Sequence, residues 1–169
     1  VWIYKGEFRL DGDPYYVINE YVKQIYHDNN AERKKTVSEG KGTYSGIVFI
    51  DYPKDFSHHN ASKGKIAMSG WAISDCEDTK LEVTIGDDVL EGIVRFSRLD
   101  VLEVYADKYG ALNAGNDLGW RIEYDIPEQL RRGKENKISV TAKLYDYDRN
   151  AIDSKELVLY IEDEEEENA

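Results

Sequence analysis

Cysteine is nearly absent from this chain. Cys76 stands alone, so no intrachain disulfide can form and a disulfide-stapled scaffold is excluded, although secretion is not. There is one Met and there are three Pro. No apolar run approaches the ~18–20 residues that cross a bilayer as a helix. No large basic cluster is present either: Lys34-Lys35, which follows Arg33, and Arg131-Arg132 are short runs among 22 basic and 34 acidic residues. A phosphate backbone needs a basic face, so nucleic acid is not an expected partner. The chain opens on Val1 with no Met and no leader pattern, which we read as a mature or excised product.

Catalytic signatures are missing too. There is no nucleophile elbow, no HExxH and no phosphate loop. Adjacent acids such as Glu77-Asp78 and Asp87-Asp88 lie in turn-like segments, where solvated charge is the simpler reading than an acid/base dyad. Cys76 has no His near it in sequence and reads as a small buried or edge thiol. We therefore expect no enzyme, no catalytic residue and no cofactor.

Tyrosine is what the chain has in plenty, at 13 of 169 residues. Tyr is amphipathic and favours sheets. Six consecutive acids, Glu162 to Glu167, carry half of the net charge of −12. Residues 164–169 are expected to form a disordered, self-repelling tail.

Two regions follow from the patterning. Val1 to Leu10 reads as one strand, closed by Asp11-Gly12-Asp13-Pro14. Val17, Ile18, Tyr21, Val22, Ile25 and Tyr26 repeat at helical spacing, with Asp13 as cap and Pro14 as first residue. The spacing predicts a helix from about Pro14 to His27; the β-branched and aromatic content leaves a hairpin as the alternative. Ala31 to Ser45 reads as a linker or exposed arm. Residues 1–45 thus form a mixed appendage, or the end of a neighbouring domain.

From 46 to 163 about seven strands are expected: Ile47 to Ile50, Lys65 to Ala72, Lys80 to Ile85, Val89 to Phe96, Trp120 to Ile126, Lys137 to Tyr145 and Leu157 to Ile161. Ile138, Val140, Ala142 and Leu144 alternate with polar neighbours, as do Leu81, Val83 and Ile85. The spacing is that of an all-β antiparallel sandwich. Arg98 to Leu118 breaks the pattern, and a short helical turn or packed loop is expected there.

Asp51-Tyr52-Pro53, Gly70-Trp71-Ala72, Gly86-Asp87, Arg98-Leu99-Asp100-Val101 and Gly119-Trp120, in this order, carry a resemblance. The chain over residues 47 to 161 resembles an immunoglobulin-like accessory module of bacterial surface and secreted proteins, found beside peptidoglycan hydrolases. Leu99 departs from the proline usual in that pattern. The resemblance implies an immunoglobulin-like sandwich and an extracellular or cell-surface bacterial location. It also implies a noncatalytic role, spacing or docking a neighbouring domain or surface protein. Trp71, Arg98, Asp100 and Trp120 are its structural hallmarks.

Trp71 is read as a core indole between two sheets rather than a sugar platform, and Trp120 likewise. Arg98 and Asp100 are read as a clamp on the long loop, costly to break if partly buried, by roughly 3–5 kcal/mol. Two other functions stay open. A carbohydrate-binding module for cell-wall glycans or other polysaccharides would use Tyr105, Tyr109, Trp120 and Tyr124. A filament or adhesin subunit would insert Val1 to Leu10 into a neighbouring sandwich. His58-His59 with Asp55 lacks a third strong ligand, so no metal is expected. Asp146, Asp148, Asn150 and Asp153 alternate like a calcium loop, but Ala151 and Leu157 occupy the positions that need Gly and Glu, and a solvated turn is the simpler reading.

Overall fold

The computed structural model describes residues 1–110, 117–131 and 136–162. The expected acidic tail lies outside them. The chain divides into two compact units, Val1–Tyr44 and Ser45–Ala169.

The first unit opens with a hairpin, β1 (Trp2–Tyr4) and β2 (Glu7–Leu10), not the single strand expected. Lys5 and Gly6 both have positive φ, 50° and 80°, the turn whose twist matches two antiparallel strands. Helix α1 spans Pro14–Ser38. Its start is as read: the Asp13 carboxylate accepts from the amides of Tyr15 (2.9 Å) and Tyr16 (3.2 Å), and Pro14 opens the first turn. Its end lies eleven residues beyond the expected His27. Asn29 and Asn30 do not break it. Gly40 does, with φ 70°: its amide donates to Val37 O and that of Lys41 to Thr36 O, closing the last carbonyls.

The second unit is mostly β, in two sheets. Its elements are β3 (Gly46–Tyr52), β4 (Ser57–Asn60), β5 (Lys65–Ser74), β6 (Lys80–Ile85), β7 (Asp88–Val89), β8 (Val94–Phe96), α2 (Leu99–Val104), β9 (Gly119–Asp125), α3 (Glu128–Arg131), β10 (Asn136–Tyr145) and β11 (Ala151–Glu162). One sheet has the order β3-β5-β9-β8 and the other β4-β11-β10-β6-β7. All pairings are antiparallel except β4 with β11. The expected strand Val89 to Phe96 is split. Gly92, at φ 82°, lets the chain leave one sheet at β7 and join the other at β8. The strand β4 was not foreseen, because Ser57-His58-His59-Asn60 carries no apolar alternation.

The inner faces bury Val48, Ile50, Ile66, Met68, Trp120 and Ile122 against Val83, Ile85, Val140, Leu144, Leu159 and Ile161. Two polar ties join the sheets. Asp153 on β11 accepts from the Val48 amide on edge strand β3 (2.8 Å), and the Tyr124 hydroxyl on β9 donates to Asp88 on β7 (3.3 Å).

Candidate functional site

The glycines of the recurring motifs are explained by their neighbours. Gly70 on β5 pairs with Trp120 on β9, and the indole lies over it; a Cβ there would sit 2.6 Å from Trp120 Cζ2 and collide with the Phe49 carbonyl. Gly119 pairs with Phe96, whose ring covers it in the same way, with a hypothetical Cβ 2.6 Å from Cε2. A ring can lie flat on a strand only where its cross-strand partner has no side chain.

Trp120 is fully buried between the sheets. Trp71 is not between them. One residue on from Gly70, it points to the opposite, outer face of the four-stranded sheet. There it packs with Ile73, Val101, Tyr109 and Leu118 beneath α2 and the π-helical turn Ala106–Gly110. Phe49 stacks on it at 5.5 Å and Tyr105 tilts against it at 5.5 Å.

Arg98 fastens this cover. Its Nε and Nη2 donate to the two carboxylate oxygens of Asp100 (2.8 and 2.7 Å), and Nη1 donates to Asp51 on β3 (2.6 Å). The guanidinium holds the Asp100 carboxyl down at about 2. The pair is more open than the 3–5 kcal/mol figure requires, since the Asp100 side chain is 66% exposed. Val101, next in the motif, plugs the cluster over Trp71.

Of the four tyrosine and tryptophan positions put forward for sugar stacking, Trp120, Tyr109 and Tyr124 are buried and offer no open ring. Tyr105 is half-buried against Trp71. Burial also pushes the Tyr124 phenol up to about 12, reinforced by the Asp88 carboxylate. His58 stacks on Tyr160 and pairs with Glu162, His59 bonds Ser57, and Asp55 accepts from the Val158 amide, so these three groups do not converge. Among the described residues no group of three or more His, Cys, Asp or Glu is arranged for a metal. The Asp146 carboxylate accepts from the amides of Asp148 and Asn150 (2.9 and 2.8 Å) and from the Asn150 side chain; it organises the β10–β11 turn. Cys76 is buried, and desolvation pushes its thiol up.

The outer face beyond α2 stays open. A bulge sets Ile50 opposite Gly70 but Tyr52 opposite Ser69, so Asp51 is an extra residue. Asp51 turns to Arg98 and Tyr52 to the outer face, where the residue is 47% exposed. Tyr52, Ser69, Arg121 and Val94 then form one cross-strand row over all four strands. They line a groove of about 700 Å³ with Ala67, Glu123, Lys65, Asp125 and Glu91. Nothing in the sequence marked this row, because Ser69 and Arg121 read only as solvent-facing and the bulge has no composition signature.

Fold and surface together define a two-sheet, mostly β module in which Gly70, Trp71, Arg98, Gly119 and Trp120 hold structure. No family model matches the chain, and no curated protein matches it. Among solved structures it is similar to a point mutant of the SrpA adhesin from Streptococcus sanguinis, at 12% identity and a TM-score of 0.42, over 73% of this chain. The match spans 60% of that protein's chain, and a likeness this slight carries no functional argument. No helix among the described residues is long and apolar enough to cross a membrane.

Proposed function

We propose that the chain is a noncatalytic accessory module of a bacterial surface or secreted protein, an immunoglobulin-like sandwich that spaces or docks a neighbouring domain. One observation carries this reading: Gly70, Trp71, Arg98, Asp100, Val101, Gly119 and Trp120 are all used in packing or clamping. Gly70 accommodates an indole, Trp71 anchors the α2 cover, Arg98 ties that cover to β3, and Trp120 fills the core. The strand order supports the sandwich assignment. With β3, β5, β8 and β9 as strands A, B, D and E, and β6, β10 and β11 as C, F and G, the two sheets correspond to the ABED and CFG arrangement, with β7 as an added C′ and β4 as an added edge strand parallel to G.

The test is turnover. Full-length chain incubated with purified peptidoglycan and soluble wall fragments should release neither reducing ends nor free amines above background. Product that scales with chain concentration and disappears on substitution of a surface carboxylate would overturn the noncatalytic reading.

A further inference from the structure

We propose that the open half of the outer sheet face is a binding site for a neutral polysaccharide, with Tyr52 as stacking ring and Arg121 as its central donor. This goes beyond the accessory role and uses none of the aromatics put forward from the sequence.

The argument begins with the shape. Four strands at about 4.8 Å spacing place Tyr52, Ser69, Arg121 and Val94 across roughly 14 Å, enough for a short run of pyranose rings. Ala67 and Ser69 keep the floor low between a tyrosine wall and a valine wall. The tyrosine is held in place: the bulge turns it outward, and its ring meets the His59 ring edge-on at 6.0 Å. A preset ring costs little conformational entropy on binding.

The lining selects the ligand. Among the described residues the Arg121 guanidinium has no hydrogen-bond or ion-pair partner, and it lines the groove with N–H groups that can donate to a ligand. Lys65 is already paired with Glu123 (3.1 Å) and lies 3.7 Å from Asp125, while Glu91 closes the β8 end. A polyanion would meet three carboxylates here, and a polycation would meet two basic groups. Sugar hydroxyls both donate and accept. They satisfy carboxylates and a guanidinium in the same groove without a net charge of their own.

Affinity gel electrophoresis of the full chain tests this, because the sandwich indoles Trp71 and Trp120 are buried and their fluorescence is blind to the surface. Galactomannan, xylan and a soluble β-glucan are the neutral probes; polygalacturonate and glycol chitosan are the charged ones. At least one neutral polymer should retard the chain. Tyr52→Ala and Arg121→Ala should each raise the retarding concentration at least tenfold, Tyr52→Phe should keep retardation, and Leu99→Ala on α2 should leave it unchanged. Circular dichroism confirms that each variant is folded, and Arg121→Gln is a second, uncharged probe of the same position. Retardation by charged polymers alone, by no polymer, or undiminished from the parent in Tyr52→Ala and Arg121→Ala overturns the proposal. None of these results touches the noncatalytic reading, which stands on turnover.

Discussion

Gly70 has no room for even a methyl group, since the Trp120 indole and the Phe49 carbonyl occupy the place of its Cβ. Gly70→Ala should therefore cost about 3 kcal/mol or more, at the upper end of overpacking, and urea unfolding will measure it. Arg98 is a different kind of residue. Its three charge-assisted bonds are short, but its side chain is 23% exposed and that of Asp100 more so. Arg98→Ala should cost about 1–2 kcal/mol, and Arg98→Lys should recover only part of it, because an ammonium cannot bridge two carboxylates as a planar fork does. The depressed Asp100 carboxyl also fixes a pH dependence. Its contribution is present above the ordinary carboxylate value of about 4 and is lost as pH falls toward about 2. Stability of the parent should thus fall more steeply over that window than stability of Asp100→Asn. Sequence named Arg98 and Asp100 but not Asp51, the third member, because no spacing rule links a residue 47 positions away.

At the scale of elements, α1 shows how local signals can be half read. The Asp13-Pro14 start was legible, since a cap acts on amides two and three residues ahead. The end was not: the last turns, Ala31 to Ser38, are polar and lack an apolar stripe, so periodicity fell silent where the backbone continued. Asp13→Ala should cost about 1 kcal/mol at one end and Gly40→Ala about as much at the other, read as lost helical circular dichroism. The strands of the sandwich were legible from alternation, as in Val140, Ala142 and Leu144, all buried. Alternation cannot say which face is core and which lies under a cover. Alternation is therefore consistent with Trp71 between the sheets, although it lies outside them. Two of the four sheet edges are short, β7 with two residues and β8 with three.

Across the whole molecule the two sheets are held by apolar packing and by a few polar ties at their rims. The Tyr124 hydroxyl is one such tie, and it has a consequence at alkaline pH. A phenol held up to about 12 in the fold ionises near 10 when unfolded. The stability this provides is complete below pH 10 and is lost as pH rises toward 12. Alkaline unfolding of Tyr124→Phe should lack that step, while the parent weakens across it; pH-resolved thermal melts make the comparison. The Asp153 tie behaves as a plain hydrogen bond to an edge amide, and Asp153→Ala should cost about 1–2 kcal/mol in the same melts.

Composition and patterning by themselves determined the β-rich class, the positions of most strands, the cap of α1 and the lack of any recognised catalytic signature. These properties are local: a turn residue, a cap or an alternating run acts within a few positions. Tertiary structure alone decided which side of a strand is covered, that Asp51 joins Arg98, and that a bulge turns Tyr52 into line with Ser69, Arg121 and Val94. Register across four strands sets these, and register is a relation between segments far apart in the chain that no single stretch of it encodes.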